Sequence, residues 1–413
     1  MAHPALLDRD LLLRLPKSDL HVHLDGSLRP RTLIELARER KVRLPSYSEA
    51  GLYAQVFKES YANLPEYLKG FELTCACLQD EEALERTAYE LALDNQREGV
   101  RYLEVRFAPQ LHVHGNLDIH RVLRAVSRGL LNAREEFNRR PEVRSHAEPR
   151  FECGIIVCAM RFFTDAFSEH FAAYFRALPT SPRKRIYAMA SLELARATVA
   201  AVEAEGLPVV GFDLAGQEHG FPAQDHWEAY QYVHERFFGK TVHAGEDYGP
   251  ESIFQAITEL HADRIGHGTW LLSASRIRDR GIKDRKAYIE KLVRYIADRR
   301  ITLEVCLTSN QQTLPELRQS LARHPFRHFR KARLSMTLCT DNRLVSRTTM
   351  TDELLKAIQT FDLEPREVKN LLVYGFKRSF FPGPYSSKRE YVREVLDHCE
   401  RVMGEVGLDV RGG

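Results

Sequence analysis

The chain has 413 residues, 44% of them hydrophobic and 28% charged, with a formal net charge of +3. That is ample material for a large core, in a balance ordinary for a globular protein. A charge so near zero speaks against a nucleic-acid or membrane partner held by bulk electrostatics, and no stretch is apolar over the length a bilayer crossing needs.

Residues 1–14 mix Asp8, Arg9, Asp10 and Arg14 with leucines and lack the unbroken apolar stretch of a signal peptide. Residues 19–24 read as a short buried strand ending at the Gly26 turn. This strand carries His21-Val22-His23, whose two imidazoles share one face because side chains alternate along a strand. Residues 26–99 are too many for one helix and predict a helical insertion. Within it, Leu64-Pro65-Glu66-Tyr67-Leu68-Lys69-Gly70-Phe71 is an apolar, aromatic segment that either caps a site or packs as an ordinary helix.

Further strands are expected at 101–108, 153–160, 208–214, 241–244, 264–267, 302–307 and 335–340. All are rich in Val, Ile and Leu on both faces, as buried parallel strands are. Helical spacing of apolar residues marks 81–98, 192–205, 250–261 and 284–299. The charged stretch 134–148 reads as an exposed excursion, and 351–413 as added helices with a polar end at Arg411-Gly412-Gly413. Seven cysteines, an odd number with no CxxC pair, fit a reducing compartment, so a cytoplasmic location is expected.

Eight strands alternating with helices predict an α/β fold, a (β/α)8 barrel with a helical insertion after strand one and extra C-terminal helices. A doubly wound open sheet is the alternative. With neither an internal repeat nor a low-complexity linker, residues 1–413 are expected to form a single domain. In a barrel the strand ends surround one point, whereas an open sheet leaves strands one and eight apart.

The chemistry concentrates at those ends. Thr241-Val242-His243-Ala244-Gly245-Glu246 offers an imidazole and, across a glycine, a carboxylate. Arg264-Ile265-Gly266-His267-Gly268 holds a histidine between glycines, and the run from Leu334 ends on Thr340-Asp341. A catalytic zinc needs three or four N/O ligands, a position open to water and a nearby base. His21, His23, His243 and Asp341 supply the ligand types, and Glu246 and His267 the proton handling. One zinc ion per chain is expected. A second pair, His112-Val113-His114, follows Pro109 and has no matching partners, so it reads as a structural or pocket-rim feature.

These segments, together with Asp213-Leu214-Ala215-Gly216 and Asp19-Leu20-His21-Val22-His23-Leu24-Asp25-Gly26, occur in the order found in a known family. The chain resembles the adenosine deaminases of the metal-dependent amidohydrolase superfamily. The resemblance implies a zinc held by His21, His23, His243 and Asp341, with Glu246 as proton donor to the purine. His267 would orient the attacking water, with Asp341 helping to take its proton. His23 and Asp25 would lie beside the nucleoside, Asp25 at a ribose hydroxyl and Gly216 with its N–H at a ring nitrogen. Leu64, Tyr67, Leu68 and Phe71 would form the apolar lid.

Two positions depart from the family pattern. Asn342-Arg343 stands where many members have aspartate and proline, and Leu307 replaces a frequent proline. Asparagine still offers an N–H to purine N7 without needing to be protonated. The resemblance implies hydrolytic deamination of adenosine or 2′-deoxyadenosine, a small-molecule purine nucleoside being the partner. The alternatives are free adenine, a 5′-modified nucleoside such as aminodeoxyfutalosine, and a binding protein with a vestigial site. Asp25 speaks against free adenine, because relatives that handle the base tend to carry glutamate there.

Overall fold

Eight parallel strands form one sheet whose spatial order is the chain order: β1 (Lys17–His23), β2 (Val100–Phe107), β3 (Glu152–Met160), β4 (Val209–Ala215), β5 (Gly239–Ala244), β6 (Arg264–His267), β7 (Thr302–Val305) and β8 (Ser335–Leu338). The computed structural model describes residues 7–408 and 410. Just past β8, Asp341 bridges in parallel to Val22 of β1. Its N–H donates to the His21 carbonyl at 2.8 Å, and its carbonyl accepts from His23 at 2.7 Å. The first and last strands therefore meet, which makes the sheet a barrel and excludes the open doubly wound alternative.

Long crossovers cover the outside of the barrel. The insertion after β1 is helical as expected, with Pro30–Glu39, Glu49–Gln55, Leu64–Cys77 and Glu81–Arg97. Met350–Phe361, Pro365–Arg378 and Tyr385–Glu405 follow β8, while the expected polar end at 411–413 lies outside the described residues.

Two expectations are corrected. The charged stretch 134–148 is largely exposed as expected but is more than an excursion: its first part continues the Ile119–Asn138 helix, and Pro141–Arg144 adds a helical turn. The apolar stripe from Val122 through Leu130 extends to Phe137, which packs on Phe151 with ring centroids 6.1 Å apart. The strand expected at 302–307 stops at Val305, and Leu307 starts the Leu307–Thr313 helix. The Glu353 carboxylate accepts from the Thr308 N–H at 3.2 Å, satisfying one of the free donors at that helix start.

The barrel interior is less apolar than the sequence reading implies. Arg106 of β2 donates to Asp213 of β4 at 3.0 Å and to Glu304 of β7 at 2.9 Å, all three without solvent exposure. Arg264 of β6 pairs with the other Glu304 oxygen at 2.7 Å and also with Glu104. Buried charges survive only when paired in this way, and here the network leads directly to the site.

Candidate active site

At the mouth formed by the C-terminal strand ends, ligand atoms of His21, His23, His243 and Asp341 all lie within 4.8 Å of one another. Alternation along β1 puts His21 and His23 on one face. The ring nitrogens Nε2 of His21 and His23 are each 3.5 Å from Asp341 Oδ1, and His23 Nε2 is 3.2 Å from His243 Nε2. Gly266 leaves room for this: a Cβ there would come within 3.0 Å of the His21 ring.

The four residues fit a divalent metal. His21 Nδ1 bonds Glu304 at 2.8 Å, and His243 Nδ1 bonds Asp213 at 3.2 Å. A carboxylate on Nδ1 fixes the tautomer that leaves the Nε2 lone pair free, the arrangement of metal-ligating histidines. His21 Nε2 is buried with no hydrogen-bond partner, which marks it as aimed at something outside the protein's own polar groups. Arg106 bridges Asp213 and Glu304 and helps hold both orienting carboxylates ionised: despite burial, the Asp213 pKa is kept below the usual range by His243 and Arg106, and that of Glu304 by Arg106 and Arg264.

Glu246 and His267 flank the cluster, 3.6 Å apart. Burial pushes the Glu246 carboxyl well above the ordinary range, helped by the charges of Asp341, Glu218 and Asp247. Burial also keeps His267 neutral, well below its usual pKa. Its tautomer follows from a chain of hydrogen bonds. The Phe326 N–H donates to His324 Nδ1 at 3.2 Å, so His324 Nε2 carries hydrogen and donates to Asn310 Oδ1 at 3.3 Å. Asn310 Nδ2 then donates to His267 Nδ1 at 3.0 Å, leaving the proton on His267 Nε2, the nitrogen facing Glu246. His267 (φ +65°) and Asp341 (φ +61°) both take left-handed backbone conformations, strain of a kind that gathers at functional sites.

The cluster opens into a cavity of about 780 Å³, the size of a small-molecule site. Every residue that the sequence assigns to the site lines it, except His21: His23, Asp25, Leu64, Tyr67, Leu68, Phe71, Gly216, His243, Glu246, His267, Asp341 and Asn342. Leu64, Tyr67, Leu68 and Phe71 recur at helical spacing on Leu64–Cys77, which begins at an Asn63 cap. Asp25 is buried, and burial raises its carboxyl to about 7. The second histidine pair divides: His112 is buried with Nδ1 on the Leu78 carbonyl, while His114 reaches the cavity wall.

Sequence reasoning missed Glu218. Its carboxylate accepts from the backbone N–H groups of Gly245 (2.7 Å), Glu246 (2.9 Å), Asp247 (2.7 Å) and Tyr248 (3.0 Å), and from Ser252. It thus shapes the turn that presents Glu246. The signal was present, an acid just past the Asp213–Gly216 segment, but nothing local shows that it folds back on a turn 27 residues ahead. Arg106, Glu304 and Asp213 had a clearer signal, charged residues inside runs otherwise apolar. Arg161 belongs with them, donating from the end of β3 to the His243 carbonyl at 2.5 Å.

Among known proteins, the family model described as adenosine deaminase matches residues 16–178 and 141–398. Adenosine deaminase 1 of Streptomyces coelicolor is 34% identical over 96% of this chain and 90% of its own length. A probable adenosine deaminase of Dictyostelium discoideum is 32% identical over 98% of this chain, which spans 45% of that protein's length. In structure, an amidohydrolase from Burkhoderia ambifaria with bound zinc aligns with a TM-score of 0.74 at 19% identity, covering 98% of this chain and 95% of that one.

Proposed function

We propose, for a chain that belongs to the adenosine deaminase family, that it hydrolyses adenosine and 2′-deoxyadenosine to inosine and 2′-deoxyinosine with release of ammonia. The observation that carries this is one cavity wall on which Glu246, raised by burial, stands beside the His21, His23, His243 and Asp341 cluster. A purine C6 is a poor electrophile until N1 is protonated, and a carboxyl that keeps its proton at neutral pH can donate there.

His21, His23, His243 and Asp341 would hold one divalent metal, zinc by its preference for mixed imidazole and carboxylate donors. The bound ion would supply Lewis acidity that brings the pKa of water towards neutrality. His267, with hydrogen on Nε2, is a donor and orients the attacking water. Asp341 is left as the group that takes the water's proton and returns it to the departing amine. Glu246 protonates N1 as the C6–O bond forms, Asp25 accepts from a ribose hydroxyl, and Gly216 and Asn342 meet the base. Helix Leu64–Cys77 excludes water from the reacting end.

Six of the seven cysteines are buried and all are free, which supports a reducing, cytoplasmic setting. No described helix is long and apolar enough to cross a membrane. The chain is read as one catalytic domain.

A second reading, a nucleoside extended at its 5′ position, is favoured by the cavity also being lined by Lys69, Gln79, His114 and Ser168. Lys69 is a cation of the kind an acidic extension needs. Steady-state rates on adenosine, 2′-deoxyadenosine, adenine and 5′-carboxylated adenosine decide between them. Highest kcat/KM on adenosine or its deoxy form supports the first reading; preference for the acidic analogue replaces it with the second.

A further inference from the structure

At the side of the cavity, Asp25, Cys75 and His112 bring their ligand atoms within 4.8 Å of one another. They share no residue with the His21, His23, His243 and Asp341 cluster. Asp25 follows β1, Cys75 sits in the last turn of the Leu64–Cys77 helix, and His112 follows the short turn after β2. The Cys75 thiol points at Asp25 Oδ2, 3.8 Å away, while Asp25 Oδ1 is buried with no partner.

His112 supplies an independent observation. It has no solvent exposure, and its Nδ1 donates to the Leu78 carbonyl at 2.9 Å. The ring's Nε2 is therefore an unprotonated lone pair, buried and without any hydrogen-bond partner. The neighbouring His114 is not part of this group, its Nε2 being committed to the Gln79 carbonyl at 2.7 Å.

We propose that Asp25, Cys75 and His112 form a second site, for a thiophilic divalent cation such as zinc or cadmium. One carboxylate, one sulfur and one imidazole are the donor types such ions take. Bonds of about 2.3 Å to sulfur and 2.0–2.2 Å to nitrogen and oxygen require only a modest closing of the observed spacing. Binding displaces to solvent the thiol proton and any proton held by Asp25, and the carboxylate and thiolate together balance the ion's two charges. Asp25 and Cys75 both line the cavity, so a fourth position faces the space where substrate lies.

The ion joins the end of the lid helix to two barrel loops and takes Asp25 away from the nucleoside. Occupancy is therefore inhibitory, and it raises KM rather than lowering kcat. This consequence rests on the nucleoside reading; the binding itself does not.

The experiment titrates metal-loaded enzyme with Cd2+ alone and follows the ultraviolet thiolate-to-cadmium charge-transfer band. Wild type is expected to show the band and to bind one ion beyond the resident metal. Cys75→Ser should lose both, and His112→Gln should bind the extra ion at least about tenfold more weakly. No band in wild type, or an undiminished band in Cys75→Ser, overturns the site. In parallel, added Zn2+ should raise KM in wild type but not in Cys75→Ser. A band without a rise in KM supports the site and overturns instead the nucleoside contact at Asp25.

Discussion

Asn342 donates its Nδ2 hydrogen to the Tyr67 hydroxyl at 2.7 Å, and that hydroxyl shares a second hydrogen bond with Ser346 at 2.8 Å. The residue beside Asp341, placed in the sequence reading against the purine, is thus tied to the Leu64–Cys77 helix. A buried donor left without its acceptor costs about 1–3 kcal/mol. Tyr67→Phe should lower unfolding stability by about that much and raise KM with kcat little changed. Denaturant melts and steady-state kinetics read the two effects; an unchanged KM would remove Tyr67 from substrate closure.

The four-donor cluster predicts metal dependence. Enzyme purified without added metal should carry close to one divalent ion per chain and lose activity when a chelator removes it, with zinc restoring it. His23→Ala should lose both metal and turnover, because three donors hold the ion less tightly than four. Full activity in metal-free protein would defeat the assignment.

Glu246→Gln keeps size and polarity but has no acidic proton. Metal content should be retained while kcat falls by about 10²–10⁴-fold. Turnover near wild type would mean that another group protonates the ring.

The Glu218 carboxylate holds the Glu246 turn and, after burial and the charge of Asp341, its own charge adds to what keeps the Glu246 proton on. Glu246 must be protonated to act, so kcat should fall as pH rises through its raised pKa. Glu218→Gln removes a negative charge that raises that pKa, and the descending limb should move to lower pH. A purely structural effect would scale kcat without moving the limb, so the kcat–pH profile separates the two.

Asp25→Ala tests the ribose contact. Removing one partner of a charged hydrogen bond costs about 1.5–3 kcal/mol, roughly 10- to 150-fold in kcat/KM. The loss should be seen on adenosine and be much smaller on 5′-deoxyadenosine, which has no 5′ hydroxyl. Equal losses on both would place Asp25 elsewhere in the site.

The eight strands and their helical crossovers were legible because hydrophobic periodicity is a local property. The metal-type residues were legible because His21 and His23 alternate along one strand, while His243, His267 and Asp341 sit next to a glycine or at the end of an apolar run. The end of β7 was not, because Leu307 continues an apolar run and the Glu353 carboxylate that accepts from the Thr308 N–H at the helix start is distant in sequence.

By itself the sequence determined the eight strand segments, the apolar face of the 64–71 segment, and the set of donors that meet at the barrel mouth. Only the tertiary structure decided what those donors are. The bridge from Asp341 to Val22 closes the barrel and sets Asp341 beside His21 and His23. Arg106, Asp213 and Glu304 set the tautomers of His21 and His243, and His324 and Asn310 set that of His267. A tautomer depends on what each second ring nitrogen touches, and those partners lie tens to hundreds of residues away. Hydrophobic pattern carries no record of them, because hydrogen bonds between distant strands leave no period in the chain.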